Sequence, residues 1–238
     1  MAGRSPRVFL AGAAGAIGLV LCDLLVEDGW HVVGTTRSAG KAEELRARGV
    51  EPVVVDVFDR DALVQAVVGA SPSVVIHQLT DLPKALTPEN LAAARPRNAR
   101  LREVGTDNLV AAAMEAGATR LVAQSIAFAY APAPRPYAED APIDPVAWPS
   151  VAKLEELVLG AALDGIVLRY GRLYGPRTWA EVPSGEAPVH VDAAAHAARL
   201  AARLGSSGVY NVAEDDGVVS SARARRDLGW DPAFRAGT

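Results

Sequence analysis

The apolar run Val8-Phe9-Leu10-Ala11 empties into Gly12-Ala13-Ala14-Gly15-Ala16-Ile17-Gly18, three glycines spaced Gly-x-x-Gly-x-x-Gly, and a helical apolar pattern (Leu19, Val20, Leu24, Leu25) follows at once. No other stretch restricts the fold as strongly. The run reads as a strand and the pattern as a helix, so the glycines occupy a tight strand-to-helix turn. Gly12 lets the chain turn sharply, Gly15 lets backbone approach a diphosphate, and Gly18 lets the helix pack closely on the sheet. The unpaired N–H groups and positive dipole end of a helix beginning near Ala16 suit phosphate oxygens. This turn is therefore the candidate nucleotide-cofactor site.

Strands and helices alternate through most of the remaining chain. A second strand at 31–35 leaves through Thr36-Arg37-Ser38. Where such a sheet binds NAD, an acidic residue at this strand end accepts from the adenine ribose hydroxyls. A carboxylate there would repel a 2′-phosphate, whereas Arg37 flanked by Thr36 and Ser38 would bind one, which favours NADP over NAD. A short helix at 41–48 precedes a third strand at 51–55. Asp56 at its end suits either the adenine amino group or the cap of a helix starting near Arg60. The apolar stretch 73–79 reads as a fourth, doubly covered strand. Residues 81–97, carrying Pro83, Pro88 and Pro96, read as loop, and a long helix is expected at 98–116, closed by Gly117. Strands at 120–125, 165–170 and 208–212 follow, with helices at 150–162, through Leu204, and at 220–228. Six prolines between 126 and 149 exclude regular structure there, and a loop of that length is often functional. The alternation predicts a parallel, doubly wound α/β sheet.

Composition narrows the class. The 238 residues are 50% hydrophobic and 22% charged, enough for one sizeable globular domain. No apolar run approaches the roughly 18 residues of a membrane span. The stretch before the first strand is too short and polar for a signal peptide. A net charge of −4 leaves no basic footprint for nucleic acid. The single cysteine, Cys22, falls on the apolar face of the first helix and reads as a small buried hydrophobe. The expectation is a cytoplasmic protein that binds a small-molecule substrate, with no nucleic-acid or membrane partner.

Several segments, in order, resemble the extended short-chain dehydrogenase/reductase superfamily in its epimerase/dehydratase branch. They are the glycine turn, Asp56-Val57, Val75-Ile76-His77-Gln78-Leu79, Gly105-Thr106-Asp107-Asn108-Leu109 and Ser125. Leu168-Arg169-Tyr170-Gly171-Arg172-Leu173-Tyr174-Gly175-Pro176, His190-Val191-Asp192, Tyr210-Asn211-Val212 and Leu228-Gly229-Trp230-Asp231-Pro232 continue the series. The resemblance implies a Rossmann-like domain spanning 1–238 with a small, trimmed C-terminal substrate lobe built mainly from 171–192 and 213–238. It implies cofactor contacts from Gly12, Ala14, Gly15, Ala16, Ile17 and Gly18, and from Thr36, Arg37, Ser38, Asp56 and Val57. Gln78, Leu79, Thr80, Lys153, Tyr170 and Leu173 complete that set. The helices at 98–116 and 150–162 resemble the pair through which such proteins form homodimers.

Chemistry in this superfamily rests on a Ser or Thr that positions the substrate oxygen, a Tyr that moves a proton, and a Lys four residues after it. Ser125 matches the first. Lys153 lies in the right helix, but Pro149 stands four residues before it, so the catalytic Tyr is missing. Lys153 then either reaches the ribose or is an ordinary exposed lysine beside Glu156. Arg102 holds a position where the superfamily often has Asn. Tyr130 and Tyr137, in the proline-rich loop, are the replacement proton donors. Tyr170, Tyr174, Asp81, Glu139, His77 and His190 are further candidates, His190 more naturally as a pocket wall. Three functions follow as expectations: an NADP-dependent oxidoreductase or epimerase acting on a small carbonyl or alcohol; a non-redox isomerase, cyclase or lyase on the same scaffold; or an NADP(H)-sensing regulator without turnover.

Overall fold

The computed structural model describes residues 5–83, 85 and 87–237; Met1 to Arg4 of the polar N-terminal stretch, and Lys84, Leu86 and Thr238, lie outside it. Strand β1 (Arg7–Ala11) feeds helix α1 (Ala16–Glu27), followed by β2 (His31–Thr36), α2 (Ala39–Ala47), β3 (Glu51–Val54), α3 (Arg60–Ala70) and β4 (Val74–His77). The second half runs α4 (Pro88–Arg100), a π-helical turn (Leu101–Gly105), α5 (Thr106–Glu115), β5 (Arg120–Ile126), α6 (Pro149–Leu159), β6 (Asp164–Tyr170), β7 (Arg172–Tyr174), β8 (Pro188–His190), α7 (Val191–Ala201), β9 (Gly208–Val212) and α8 (Ala222–Leu228).

Seven strands form one parallel sheet in the order β3-β2-β1-β4-β5-β6-β9, and β7 pairs with β8 in a separate parallel ribbon. The Rossmann-like, doubly wound α/β fold is present. Alternate residues of each strand serve opposite faces. Val8, Leu10, Ile76, Val122 and Leu168 pack with α1 and α7, whereas Phe9, Val75, Leu121, Ala123 and Val167 pack with α3, α5 and α6. The winding reverses between β1 and β4, which opens a crevice at their carboxyl ends, the usual ligand position in such sheets. No helix among the described residues is long and apolar enough to cross a membrane.

Two local expectations are corrected. Residues 88–97 are helical, although the prolines there predict loop. Thr87 caps the helix by accepting from the Asn90 N–H, and Pro88 occupies the first turn, where its missing N–H costs nothing. Pro96 lies inside the helix and removes a donor. The carbonyl it leaves without that donor is Ala92 O; the next two carbonyls along carry side-chain donors, Arg97 Nη1 to Ala93 O at 2.8 Å and Asn98 Nδ2 to Ala94 O at 3.2 Å. The helix nevertheless runs on through the π turn into α5. The second correction concerns capping. Asp59, not Asp56, caps α3 by accepting from Ala62 N, while Asp56 accepts from Phe58 N at 3.0 Å and stays at the crevice.

Candidate functional site

The glycine turn closes as its spacing requires. Gly12 has φ +91°, and a Cβ there would stand 2.6 Å from the Gln78 carbonyl oxygen. A Cβ on Gly18 would stand 2.2 Å from Gly12 O, so the helix start and the turn touch backbone to backbone. Gly15 is the N-cap of α1, with no side chain to satisfy the first N–H groups of the helix. Cys22 is fully buried, and burial pushes its thiol up to about 12, which makes it the inert hydrophobe the sequence suggests.

In front of the turn lies a groove of about 310 Å³ lined by Gly12, Ala14 and Gly15, by Thr36, Arg37 and Ser38, by Asp56 and Val57, and by Gln78, Leu79 and Thr80. Strand ends β1, β2, β3 and β4 thus bring most of the expected cofactor residues to one cleft. Thr36 Oγ1 accepts from Ser38 N at 3.1 Å, and Ser38 caps α2. The exposed Arg37 side chain forms no ion pair or hydrogen bond to another described residue. Lys41, on the first turn of α2, lines the same groove and is likewise free of side-chain partners among the described residues. The sequence reading missed Lys41, although its place three residues after Ser38, one helical turn on, was a usable signal.

Gln78 tests whether a ligand fits. It is 6% exposed, its Nε2 donates to the Tyr170 hydroxyl at 3.2 Å, and its Oε1 is buried without a partner among the described residues. A buried orphan acceptor on a groove wall suits a hydroxyl or amide donor from a bound molecule. Together with a turn that excludes a Cβ at Gly12 and Gly18 and an uncapped helix start, the residues fit a dinucleotide.

Other expected positions do not line the groove. Ala16 borders an adjoining cavity, and Ile17 is buried in the first turn of α1. Tyr170 lies under Gln78, fully buried, and burial raises its pKa. Leu173 is half-buried and packs against the core. Lys153 is exposed and pairs with Glu156 at 3.0 Å, the second of its two sequence alternatives. Lys153 is not among the residues that line the groove.

Ser125 occupies the next strand end, in a different setting. Its hydroxyl donates to Glu155 Oε1 at 2.7 Å. Arg169 grips the same carboxylate with Nε to Oε1 at 2.9 Å and Nη2 to Oε2 at 2.7 Å, and both side chains are almost fully buried. Sheet register explains the cluster, since Ser125, Arg169 and Asn211 are direct neighbours across β5, β6 and β9. The Tyr130 ring lies 4.8 Å from the Arg169 guanidinium, its hydroxyl donates to Asn211 Oδ1, and Tyr137 stacks on it at 4.9 Å. Burial raises the Tyr130 pKa. Tyr130 and Tyr137 thus anchor the proline-rich loop over the sheet. Sequence reading did not single out Glu155, although a carboxylate on the stripe Val151, Leu154, Val158 demands a buried partner.

His77 and His190 each have a ring nitrogen engaged by a backbone N–H. His77 is buried; Leu79 N–H donates to its Nδ1 at 3.2 Å, so Nε2 carries the proton and donates to Thr106 Oγ1 at 3.0 Å. His190 caps α7 by accepting from Asp192 N and packs edge-on against Tyr174. Arg102, on the π turn, is half-buried.

A family model described as NAD(P)H-binding matches residues 12–202. The chain is 42% identical to the 3-diazoavenalumate denitrifying reductase of a Streptomyces species, over 88% of this chain and 76% of that protein. It is 32% identical to UDP-glucose 4-epimerase of Mycolicibacterium smegmatis, over 98% of this chain and 77% of that protein. In fold it is similar to the Thermus thermophilus UDP-glucose 4-epimerase crystallised with NAD: TM-score 0.78, 22% identity, covering 96% of this chain and 94% of that one. The glycine turn, the groove before it and these matches agree: the chain belongs to the NAD(P)H-binding family within the extended short-chain dehydrogenase/reductase superfamily.

Proposed function

We propose that this protein is an NADPH-dependent reductase whose small substrate takes up hydride without needing a proton from the protein. The observation that carries the reading is the state of the expected acid–base groups. Ser125 has its hydroxyl hydrogen committed to Glu155, and Lys153 faces solvent. Pro149 stands where the superfamily has its tyrosine, and Tyr130 is tied to Asn211.

A reduced nicotinamide held in the groove supplies hydride. Gly12, Gly15 and the start of α1 would hold the diphosphate, and Arg37, Thr36, Ser38 and Lys41 a 2′-phosphate. Leu79 and Thr80 would border the reacting end. The substrate class follows from the missing acid. A carbonyl reduced by hydride leaves an alkoxide that must be protonated, whereas an arenediazonium does not. In that ion hydride forms the new C–H bond at the ring carbon, the C–N bonding pair departs with N2, and no proton is consumed. The Streptomyces relative, named for removing nitrogen from a diazo compound, supports this substrate class.

The second reading is a small carbonyl or alcohol, supported by the epimerase relative, with Tyr137 as proton donor from the loop over Ser125. One experiment separates the two. The protein is incubated with NADPH deuterated at the transferred position, and with either an arenediazonium salt or a panel of aldehydes and ketones. Loss of nicotinamide absorbance with N2 release and one deuterium in the arene supports the first reading. Turnover confined to aldehydes or ketones, and abolished by Tyr137→Phe, replaces it with the second.

A further inference from the structure

The loop between β7 and β8 comes back to α2 and the start of α1, beside the cofactor groove. Gly175 turns the chain at φ +103°, and a Cβ there would stand 2.5 Å from His190 Nε2. Arg177 follows in the left-handed region at φ +65°, unusual for a residue with a side chain. Its Nη1 lies 3.3 Å from Glu44 Oε1 on α2. Two residues later Trp179 Nε1 donates to Pro83 O at 2.9 Å, on the loop after β4. The strap 175–180 is thus moored to α2 on one side and to the β4–α4 loop on the other. Beneath it lies a second cavity of about 430 Å³, bordered by Ala14, Gly15, Ala16, Lys41, Glu44 and Arg177.

We propose that Arg177 is a cofactor-binding residue lent by the C-terminal part of the chain, and that it leaves Glu44 for the diphosphate of the dinucleotide. The inference rests on the reading of the groove as a dinucleotide site. Its position selects the diphosphate: the cavity abuts the start of α1, whereas the expected 2′-phosphate position lies at Thr36 to Ser38. The Arg177–Glu44 pair is half-exposed, 51% and 40%, so water screens it and the hold is weak. A diphosphate carries more charge and accepts both arms of a guanidinium. Glu44 is not stranded by the exchange, because Arg48 Nη2 lies 3.8 Å from the same carboxylate oxygen.

The test is direct titration of the purified chain with NADPH and with NADH. Arg177→Gln is expected to weaken both by about tenfold, the loss of one charge-assisted hydrogen bond. Arg177→Lys should recover part of that loss, and Glu44→Gln should tighten both nucleotides by freeing Arg177. Arg37→Ala serves as the contrast and should weaken NADPH alone. Unchanged affinity for both nucleotides in Arg177→Gln overturns the proposal. A loss confined to NADPH also overturns it, assigning Arg177 to the 2′-phosphate instead. If the unmodified chain binds neither nucleotide, the groove reading fails first and the proposal with it. Arg177 is exposed, so thermal midpoints of the variants should match the parent and exclude misfolding.

Discussion

Ser125 and Glu155, thirty residues apart, are joined by a 2.7 Å hydrogen bond in which the serine hydroxyl is the donor, and Arg169 holds both oxygens of the same carboxylate. A buried carboxylate gripped this way is held for structure, and truncating one partner leaves an uncompensated charge. Glu155→Ala is expected to cost about 3–5 kcal/mol of folding stability. The double change Glu155→Leu with Arg169→Met should recover most of it, because the pair is removed together. Chemical denaturation of the three proteins checks this, and additive losses in the double variant would show that the two residues do not act as a pair.

Ser125→Ala tests the same bond from the other end. Removing one donor to a charged acceptor is expected to cost about 1–3 kcal/mol. NADPH affinity should be unchanged, and turnover should stay within a few-fold of the parent, because the hydroxyl proton is not released to substrate. A fall in kcat of a hundredfold or more at unchanged stability would make Ser125 catalytic and reinstate the role that the superfamily resemblance implies.

Arg37→Ala should raise the Kd for NADPH by about ten- to hundredfold, the worth of one or two charge-assisted contacts, and leave that for NADH nearly unchanged. Lys41→Ala should act in the same direction, since both cations line the same groove. Raising ionic strength should weaken NADPH more than NADH, because the extra phosphate contact is exposed and screened. Equal losses for the two nucleotides would remove the NADP preference.

The glycine turn was legible in the sequence because every constraint on it is local: strand, turn and helix lie within about twenty residues, and the residue types report the backbone they need. The sheet and its winding followed from alternation for the same reason. Asn211 beside Arg169 beside Ser125 was not legible, because that row exists only through strand pairing across more than forty residues each time. Glu155 left a trace, a charge on an apolar helical stripe, but nothing local named Arg169 as its partner. Helix α4 was hidden by its prolines. One is harmless in the first turn, and the other is carried inside the helix at the loss of a single donor, which residue type alone does not reveal. Arg177 and Glu44 are 133 positions apart, and only the folded loop brings them together.

Gly12→Ala should abolish binding of both nucleotides. The residue needs φ +91°, and the added Cβ meets backbone at 2.6 Å, which cannot move aside as a side chain would. Gly29→Ala is the control, with φ +77° and open space around the new atom. It should cost about 1–2 kcal/mol from backbone strain alone and leave titrations with NADPH unchanged. If Gly12→Ala binds as the parent does, the turn is not the diphosphate site.

His77 contributes to the loss of stability on the acid side. Burial, and secondarily Arg102, lower its pKa from 6.5 to about 4, so the folded protein keeps it neutral with Nδ1 accepting from Leu79. An unfolded chain takes up a proton near 6.5, which the folded chain takes up only near 4. The stability is therefore fully present above the higher value and is lost as pH falls toward the lower, by up to about 1.4 kcal/mol per pH unit. His190 and His196 are lowered by burial in the same direction, so some slope remains without His77. His77→Asn keeps an acceptor for Leu79 and cannot titrate. Thermal midpoints of parent and variant between neutral pH and about pH 4 should converge as pH falls, with the parent losing stability faster. Parallel curves would mean that His77 takes up its proton without opening the end of β4, and that the acid sensitivity of the fold lies elsewhere.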